Sequence, residues 1–502
     1  EPKGAYFKMV DEHIFLFGMM ASAINFGPDG SLYVANWDGK WQPNDLGSIW
    51  MVDDPLLRKS ERRKQVAKLL RGDFGSHINS FLVNLLAHPD QRVRLEAQFE
   101  LVKRDRFDEL LALVTNPEED RLARVHAMWG LGQIALDKQR NEHLIKRLPF
   151  ADNDPEIRAQ VAKLAGARAL KTAASRLVDM LHDENARVQF HAALALGQTG
   201  NNDTTSHLVA LLDRNNDKDA YVRHAAIMGL TGSAHPEQLT ALNAHNTAAV
   251  RAAAVATLRR LRHSGVKAFL KDKSEWVLRE AISAIHDDKS ILDSLPAVAN
   301  LLPDSGNEPE AITRRVLSAN LRVGRSENAQ RLLDYALDIA NPDAMRSEAL
   351  LCLRDWNRRP FVDRVEGQVR TLSKRDEGLA KRLIEENLSK LFKMSDGDVL
   401  AELIRLCERL QIKLGTEPLL VIAMSDSQEL EARLQAVKSI ESKGEESIVR
   451  SLLDLTKNKQ SQIQVTAIHK LAEVEPGQFA KKLSEGWSKL SEPAQQAFIS
   501  LL

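Results

Sequence analysis

The chain has little of what usually announces a function. Two cysteines occur in 502 residues, Cys352 and Cys407, each inside an apolar helical pattern. Buried thiols are the reading there, and no CxxC, CxxCH or Cys/His metal spacing exists. Net charge is zero, from 69 basic and 69 acidic residues. No global field steers the chain toward nucleic acid or an anionic membrane. Aromatic residues are only 5 %, while Leu and Ala abound, as suits helix packed on helix. No apolar run reaches the about 18 residues that span a bilayer. No HExxH, P-loop, GxGxxG or GxSxG is present. Low cysteine does not fix the compartment.

What is there is a period. From residue 76 onward an acidic residue is followed by an apolar residue and Arg, then by a small or apolar residue three positions later. The copies are Asp90…Val93-Arg94…Ala97, Asp120…Ala123-Arg124…Ala127, Asp154…Ile157-Arg158…Val161, Asp183…Ala186-Arg187…Phe190 and Asp219…Val222-Arg223…Ala226. Weaker copies centre on Arg251, Arg279, Arg314, Arg346, Arg433 and Gln464. The first seven Arg are spaced 30, 34, 29, 36, 28 and 28 residues apart. A period near thirty predicts a solenoid of helix pairs. The 87 residues from Arg346 to Arg433 have room for two or three more divergent units.

Each unit has a physical logic. The acidic residue belongs at or near a helix N-cap, where it meets unpaired backbone N–H groups. The apolar residue before Arg faces the inter-helix core, and the residue three later lets the paired helix approach. The runs ALALG (193–197), MWGLG (128–132) and IMGLTG (227–232) carry the core stripe to a Gly C-cap. Asp90, Arg94, Asp120, Arg124, Asp154, Arg158, Asp183, Arg187, Asp219 and Arg223 form a structural ladder in which each Arg bonds the acidic residue of its own or the next unit.

This pattern resembles HEAT repeats of the short bacterial type over residues 76–495. The resemblance implies a mainly α, HEAT-type superhelix that binds proteins along its concave face. His126, His191 and His224 follow the signature Arg in three units. They are candidate partner contacts, or half-buried inter-helix hydrogen bonders. Two basic stretches stand out, Arg58–Lys64 and the run from Arg259, Arg260 and Arg262 through Lys273. Arg259, Arg260 and Arg262 are candidate contacts, though nearby Glu275, Asp287 and Asp288 make a solvated face the simpler reading. Carboxylate pairs such as Glu385-Glu386 imply no pocket.

The first 55 residues differ. Three of seven Trp and two of four Tyr fall in the first 50 residues. Turns are expected at Asp29-Gly30 and at Asp38-Gly39, between Trp37 and Trp41. Strands are expected over 5–10, 13–19, 31–36 and 47–52, a four-stranded unit like one β-propeller blade. The run from His13 to Ala23 imitates a signal-peptide core, but Asp11 and Glu12 stand where positive charge belongs. One blade cannot bury both faces, so it closes a propeller or docks on the first helices. The chain opens on Glu1 without Met, as a processed product or fragment would.

INFGPDGSLYVANWDGKW…LGSIWMV resembles the closing blade of bacterial "membrane-bound dehydrogenase" proteins. These join a quinoprotein glucose/sorbosone dehydrogenase-like propeller to HEAT repeats and then a c-type cytochrome. LLAHPDQRVRLEAQFEL (85–101) and LARVHAMWGLGQIA (122–135) resemble that family's first repeats. Asn25, Asn36 and Ser48 stand where the family carries charge. The resemblance implies residues 1–55 as a blade remnant, 56–75 as a basic linker or first helix and 76–502 as the solenoid. It implies a non-catalytic scaffold inside a periplasmic or secreted oxidoreductase. Pyrroloquinoline quinone and haem c would be held elsewhere in the parent, and no cofactor in this chain. Partners are proteins or other domains of the same polypeptide, with neither nucleic acid nor a membrane span expected. Two alternatives stay open: a stand-alone, cytoplasmic HEAT adaptor, and a HEAT-type nucleic-acid enzyme.

Overall fold

A computed structural model describes residues 1–38, 46–134, 137–302, 309–441 and 445–502. Two compact units emerge, Glu1–Leu261 and Arg262–Leu502. Each is mainly helical, and the first opens with small antiparallel β elements.

In the first unit, β1 (Pro2–Lys3) pairs with β2 (Tyr6–Phe7) across Gly4, whose φ of +59° a side chain would resist. A separate sheet has the order β3 (Ala21–Phe26), β4 (Leu32–Trp37), β5 (Gly47–Val52). Phe26 faces Leu32 and Leu32 faces Val52 in register. The Asp29-Gly30 turn forms as expected: Gly30 N donates to Gly27 O at 2.9 Å, and Asp29 accepts from Ser31 N at 3.1 Å. The four-stranded expectation fails, because residues 8–20 join no ladder and only Tyr6–Phe7 of 5–10 is strand. Ala21–Phe26, outside the expected strands, supplies the hydrogen-bond partner of β4 instead. The expected Asp38-Gly39 turn and Trp41 extend into 39–45, outside the described residues.

The helices of this unit are α1 (Glu61–Arg71), α2 (Asn79–Leu85), α3 (Gln91–Lys103), α4 (Phe107–Thr115), α5 (Arg121–Gln133) and α6 (Lys138–Arg147). They continue as α7 (Pro155–Ala167), α8 (Ala174–Met180), α9 (Ala186–Thr199), α10 (Thr205–Asn215), α11 (Ala220–Ser233), α12 (Pro236–Ala241) and α13 (Ala248–Arg260). Even-numbered helices from α2 pack on the odd-numbered helix that follows in most pairs. The odd helices α3 to α13 also stack on one another in order. That is the HEAT-type solenoid arrangement. The expected core positions are inside: Val93, Ala97, Ala127, Ile157, Val161 and Ala226 are fully buried.

The second unit comprises α14 (Glu275–His286), α15 (Leu295–Ala299), α16 (Glu310–Val323), α17 (Ser326–Leu337) and α18 (Asp343–Arg354). The hairpin β6 (Phe361–Val362) and β7 (Val369–Arg370) follows. Then come α19 (Leu379–Met394), α20 (Gly397–Arg409), α21 (Thr416–Met424), α22 (Leu430–Lys438), α23 (Glu446–Leu455), α24 (Ser461–Val474), α25 (Phe479–Ser484) and α26 (Glu492–Ser500). Here α14, α16, α18, α20, α22, α24 and α26 form the stacked row. Between α18 and α20 there is one helix, α19, and an inserted arm at 355–378 that carries the hairpin. The expectation of two or three further units over that stretch is therefore corrected to one pair plus an insertion.

A second correction concerns glycine. Gly132, Gly197 and Gly232 lie inside α5, α9 and α11 rather than at their C-caps. Gly197 and Gly232 serve close approach instead, while a Cβ on Gly132 would make only an ordinary contact. A Cβ on Gly232 would lie 2.2 Å from Gly197 O, and one on Gly197 would lie 2.8 Å from Met228 O. Backbone meets backbone there, so only glycine fits.

Candidate functional site

The acidic residues of the repeat take their cap positions by local chemistry. Asp90, Asp120, Asp154 and Asp219 are N-caps of α3, α5, α7 and α11, each accepting a backbone N–H of the first turn. Asp183 does not cap α9; Asn185 does, and Asp183 accepts from Asn185 N at 2.8 Å.

The arginines are spent on carbonyls as much as on carboxylates. Arg124, Arg346 and Arg433 each donate to the carbonyl ten residues earlier, at Val114, Ala336 and Ala423, with distances of 3.0–3.1 Å. Those oxygens lie in the last turns of α4, α17 and α21, where helical acceptors run out of donors. Arg94, Arg158 and Arg251 reach instead the turn carbonyls five and six residues back, at 2.6–3.3 Å. Gln464 does the same to Asn458 O at 2.8 Å. Carboxylate partners vary. Arg124 pairs with Asp152, and Arg158 with Asp183 at 2.6 Å. Arg187 reaches back to Glu156 at 2.9 Å, and Arg223 pairs with Asp217 of its own unit.

His126 is buried in this stack. Arg94 Nε donates to its Nε2 at 3.0 Å, and its Nδ1 lies 2.9 Å from Gln98 Oε1. Accepting from a guanidinium requires the neutral imidazole, with the proton on Nδ1 facing Gln98. Burial, then the Arg94 charge, push its pKa down to about 4. His191 is half-buried beside Phe190, and burial followed by Arg187 and Lys163 lowers it to about 4. His224 is exposed on α11. The three thus differ in exposure, from buried His126 to exposed His224. Arg259 is half-buried and Arg260 exposed at the end of α13, while Arg262 is exposed at φ +55° where the second unit begins.

Two places depart from the repeat. The first is the N-terminal β region. Arg63 of α1 donates twice to Asp29 O, at 2.9 and 2.6 Å, and pairs with Asp53 at 2.7 Å. Hydrogen bonds from Arg58 and Arg63 hold Asp53 down to about 2. Arg92 of α3 donates to Gly27 O at 2.6 Å. Two arginines thus clamp one turn of the sheet to the first helices, and Val34 is fully buried. Among the described residues, the two outer strands have little cover. Strand β3 is exposed throughout, and Ile49, Trp50 and Met51 of β5 are exposed. The β1–β2 hairpin lies on α9 and α11. Ala5 N donates to Asp219 at 2.8 Å, Tyr6 stacks on Tyr221 at 4.7 Å, and the Arg187 guanidinium sits 5.6 Å over Phe7.

The second is the inserted arm of the second unit. Arg364 pairs with Glu348 and Asp355, both at 2.7 Å. Asp363, fully buried, accepts from Ser318 Oγ at 2.6 Å and lies 3.8 Å from Arg322. Arg375 donates to Leu321 O at 2.6 Å and lies 4.8 Å over Trp356. Burial, then the Arg359 charge, lower the Arg375 pKa to about 10. His286, Asp287 and Glu366 bring possible ligand atoms within 4.8 Å of one another. They do not suit a metal. Asp287 accepts from His286 Nδ1 at 2.8 Å and from Arg315 at 3.1 Å, and Glu366 pairs with Arg370. Burial raises Asp287, but those donors hold it at about 2. Three guanidinium groups, of Arg315, Arg322 and Arg370, already neutralise this space.

Beside the network opens a cavity of about 920 Å³ between the segment after α14, the α16–α17 junction and the returning arm. Nothing in the repeat period signalled it. The absence of a signature Arg between 346 and 433, together with the charge density of 363–376, was the available sign.

Residues 141–231 match the family model for HEAT repeats. The chain carries a HEAT-repeat region. No curated protein matches it. Among solved structures it is similar to the YibA protein of E. coli, at 19 % identity, 49 % of this chain, 92 % of that one and TM-score 0.31. It is also similar to Kap121p bound to Nup53p, at 13 % identity, 89 % of this chain and TM-score 0.39. The chain spans about half the length of that karyopherin, 51 %. Among the described residues no helix is long and apolar enough to cross a membrane.

Proposed function

We propose that the chain is a protein-interaction scaffold, the HEAT segment of a larger quinoprotein-dehydrogenase-like protein, with no catalysis of its own. The observation that carries this reading is the half-covered sheet. One turn is clamped by Arg63 and Arg92, while β3 and the outer residues of β5 present an open edge and apolar side chains. An uncovered strand edge with Ile24, Ile49 and Trp50 exposed invites a further antiparallel strand layer. The occupant is a neighbouring propeller blade of the same polypeptide, which the blade resemblance of 24–52 supports. The parent, periplasmic or secreted, would hold pyrroloquinoline quinone and haem c in its other domains. The helical units would then keep propeller and cytochrome in fixed geometry.

Reading the gene on both sides of this segment tests the proposal. Propeller-like repeats upstream and a CxxCH downstream are expected. An in-frame Met just before Glu1 and a stop codon after Leu502 would overturn it, leaving a stand-alone HEAT adaptor. That second reading draws on the cationic cavity of the second unit.

A further inference from the structure

The cavity beside the inserted arm has an uneven chemistry. Five of its charged lining residues are cations, Lys289, Arg322, Arg325, Arg370 and Lys374, against one anion, Asp376. That anion is already paired with Arg382. The cations fall into two sets. Arg322 and Arg370 are buried and committed: Arg322 Nη1 donates to His286 O at 2.7 Å, and Arg370 Nη2 to Asp287 O at 2.9 Å. They shape the wall. Lys289, Arg325 and Lys374 stand exposed at the rim. Lys289 and Lys374 make no ion pair among the described residues, and Arg325 is 3.8 Å from Glu327.

Between these cations the lining is largely apolar, with Leu292, Pro296, Val323, Val369 and Leu379, though Ser326, Thr371 and Ser373 also line it. Leu292 is 47 % and Val369 63 % exposed. The walls are fixed. Gly324, at φ +69°, has the Arg375 guanidinium 2.3 Å from where a Cβ would sit, and Arg375 ties the arm to the end of α16.

Convergent donors around a point would mark a small inorganic anion. Here the exposed charges are spread around an apolar floor in a space far larger than one phosphate. An apolar centre within a charged rim is the anatomy of a protein contact. We propose that this cavity receives a short acidic segment of a partner protein. One aliphatic or aromatic side chain sits on Leu292, Pro296 and Val369, and flanking carboxylates meet Lys289, Arg325 and Lys374. The proposal rests on the reading of the chain as a protein-interaction scaffold, but not on the sheet, with which the cavity shares no residue.

The test uses the full chain and three fluorescein-labelled heptapeptides. One has Leu flanked by three Asp on each side, one has Ala in place of Leu, and one has Lys in place of Asp. Fluorescence anisotropy should show saturable binding of the Leu peptide, weaker binding of the Ala peptide and none of the Lys peptide. The double variant K289E/K374E should weaken the Leu peptide by about tenfold or more, because complementary charge becomes repulsive. Both lysines are exposed, and an unchanged far-ultraviolet circular dichroism spectrum shows that the variant is folded. Three results would each overturn the proposal: no saturable binding, equal affinity for the Ala and Leu peptides, or indifference to K289E/K374E. Displacement by phosphate at constant ionic strength would reassign the cavity to a small anion. A failure here leaves the gene-context experiment standing, so the two readings fail separately.

Discussion

Replacing Gly232 with Ala puts the packing of the stacked row to a direct test. In an exposed helix the change stabilises by about 1 kcal/mol, because Ala loses less backbone entropy. In this structure the added methyl would lie 2.2 Å from Gly197 O. Both atoms belong to regular helices, α11 and α9, so no rotamer change can relieve the clash. The helices must part by roughly 1 Å to restore ordinary contact. Overpacking of this kind costs about 1–3 kcal/mol, and backbone against backbone sits at the upper end. The net expectation is a loss of about 2 kcal/mol. Gly132→Ala is the internal control. Among the described residues its methyl would meet only Leu164 Cδ1, at 3.5 Å, so that variant should match or exceed the parent by up to about 1 kcal/mol. Urea unfolding followed by circular dichroism measures both. Hydrogen exchange of α9 and α11 locates the loss, since stacked repeats need not unfold as one unit. If Gly232→Ala proved as stable as Gly132→Ala, the close approach of α9 and α11 would be wrong.

Acid should weaken the first unit well before its carboxylates titrate. His126 and His191 have folded pKa values of about 4, below the ordinary value near 6.5, so the unfolded chain binds more protons between these limits. Their contribution is complete above pH 6.5 and is lost as pH falls toward 4, worth about 3 kcal/mol for buried His126. Denaturation midpoints across that range should fall for the parent and fall less for His126→Gln. Arg63→Ala should undock the sheet while leaving the helices intact. Proteolysis within residues 21–60 should accelerate with little change in helical circular dichroism, and an unchanged rate would place the anchor elsewhere. Cys352 and Cys407 are buried and unbridged, with burial raising both thiols and Cys407 to about 12. Neither should react with a thiol reagent until the chain unfolds.

The sequence was most readable where chemistry is local. An N-cap needs only its own side chain and the next turn, so Asp90, Asp120, Asp154 and Asp219 could be placed from spacing alone. The partners of the arginines could not. Many of their acceptors are backbone carbonyls, such as Val114, Ala336 and Ala423, and a carbonyl carries no residue identity for a pattern to reveal. The glycines misled for a related reason. A Gly near the end of an apolar stripe suits a C-cap, and only the approach of a second helix shows that Gly197 and Gly232 are packing positions. The inserted arm was hidden because it has no period. Its Asp363 is satisfied by Ser318, 45 residues away in the chain, and nothing local predicts that.

These facts suggest where recognition can reside on a repeat protein of zero net charge. Within the regular stack, the buried Arg and His side chains of the repeat are committed to partners in the stack. Arg124 closes a helix end, Arg158 meets the following Asp183, and His126 is locked between Arg94 and Gln98. Such residues have no donor or acceptor to offer a partner without loosening the array. On the proposed reading, capacity for binding lies where the period breaks. Among the described residues, the N-terminal sheet leaves β3 exposed, and the 355–378 arm leaves Lys289 and Lys374 at the mouth of a cavity without ion pairs. Substitutions along the ladder should therefore register as changes in stability, and substitutions at these two interruptions as changes in what the protein binds.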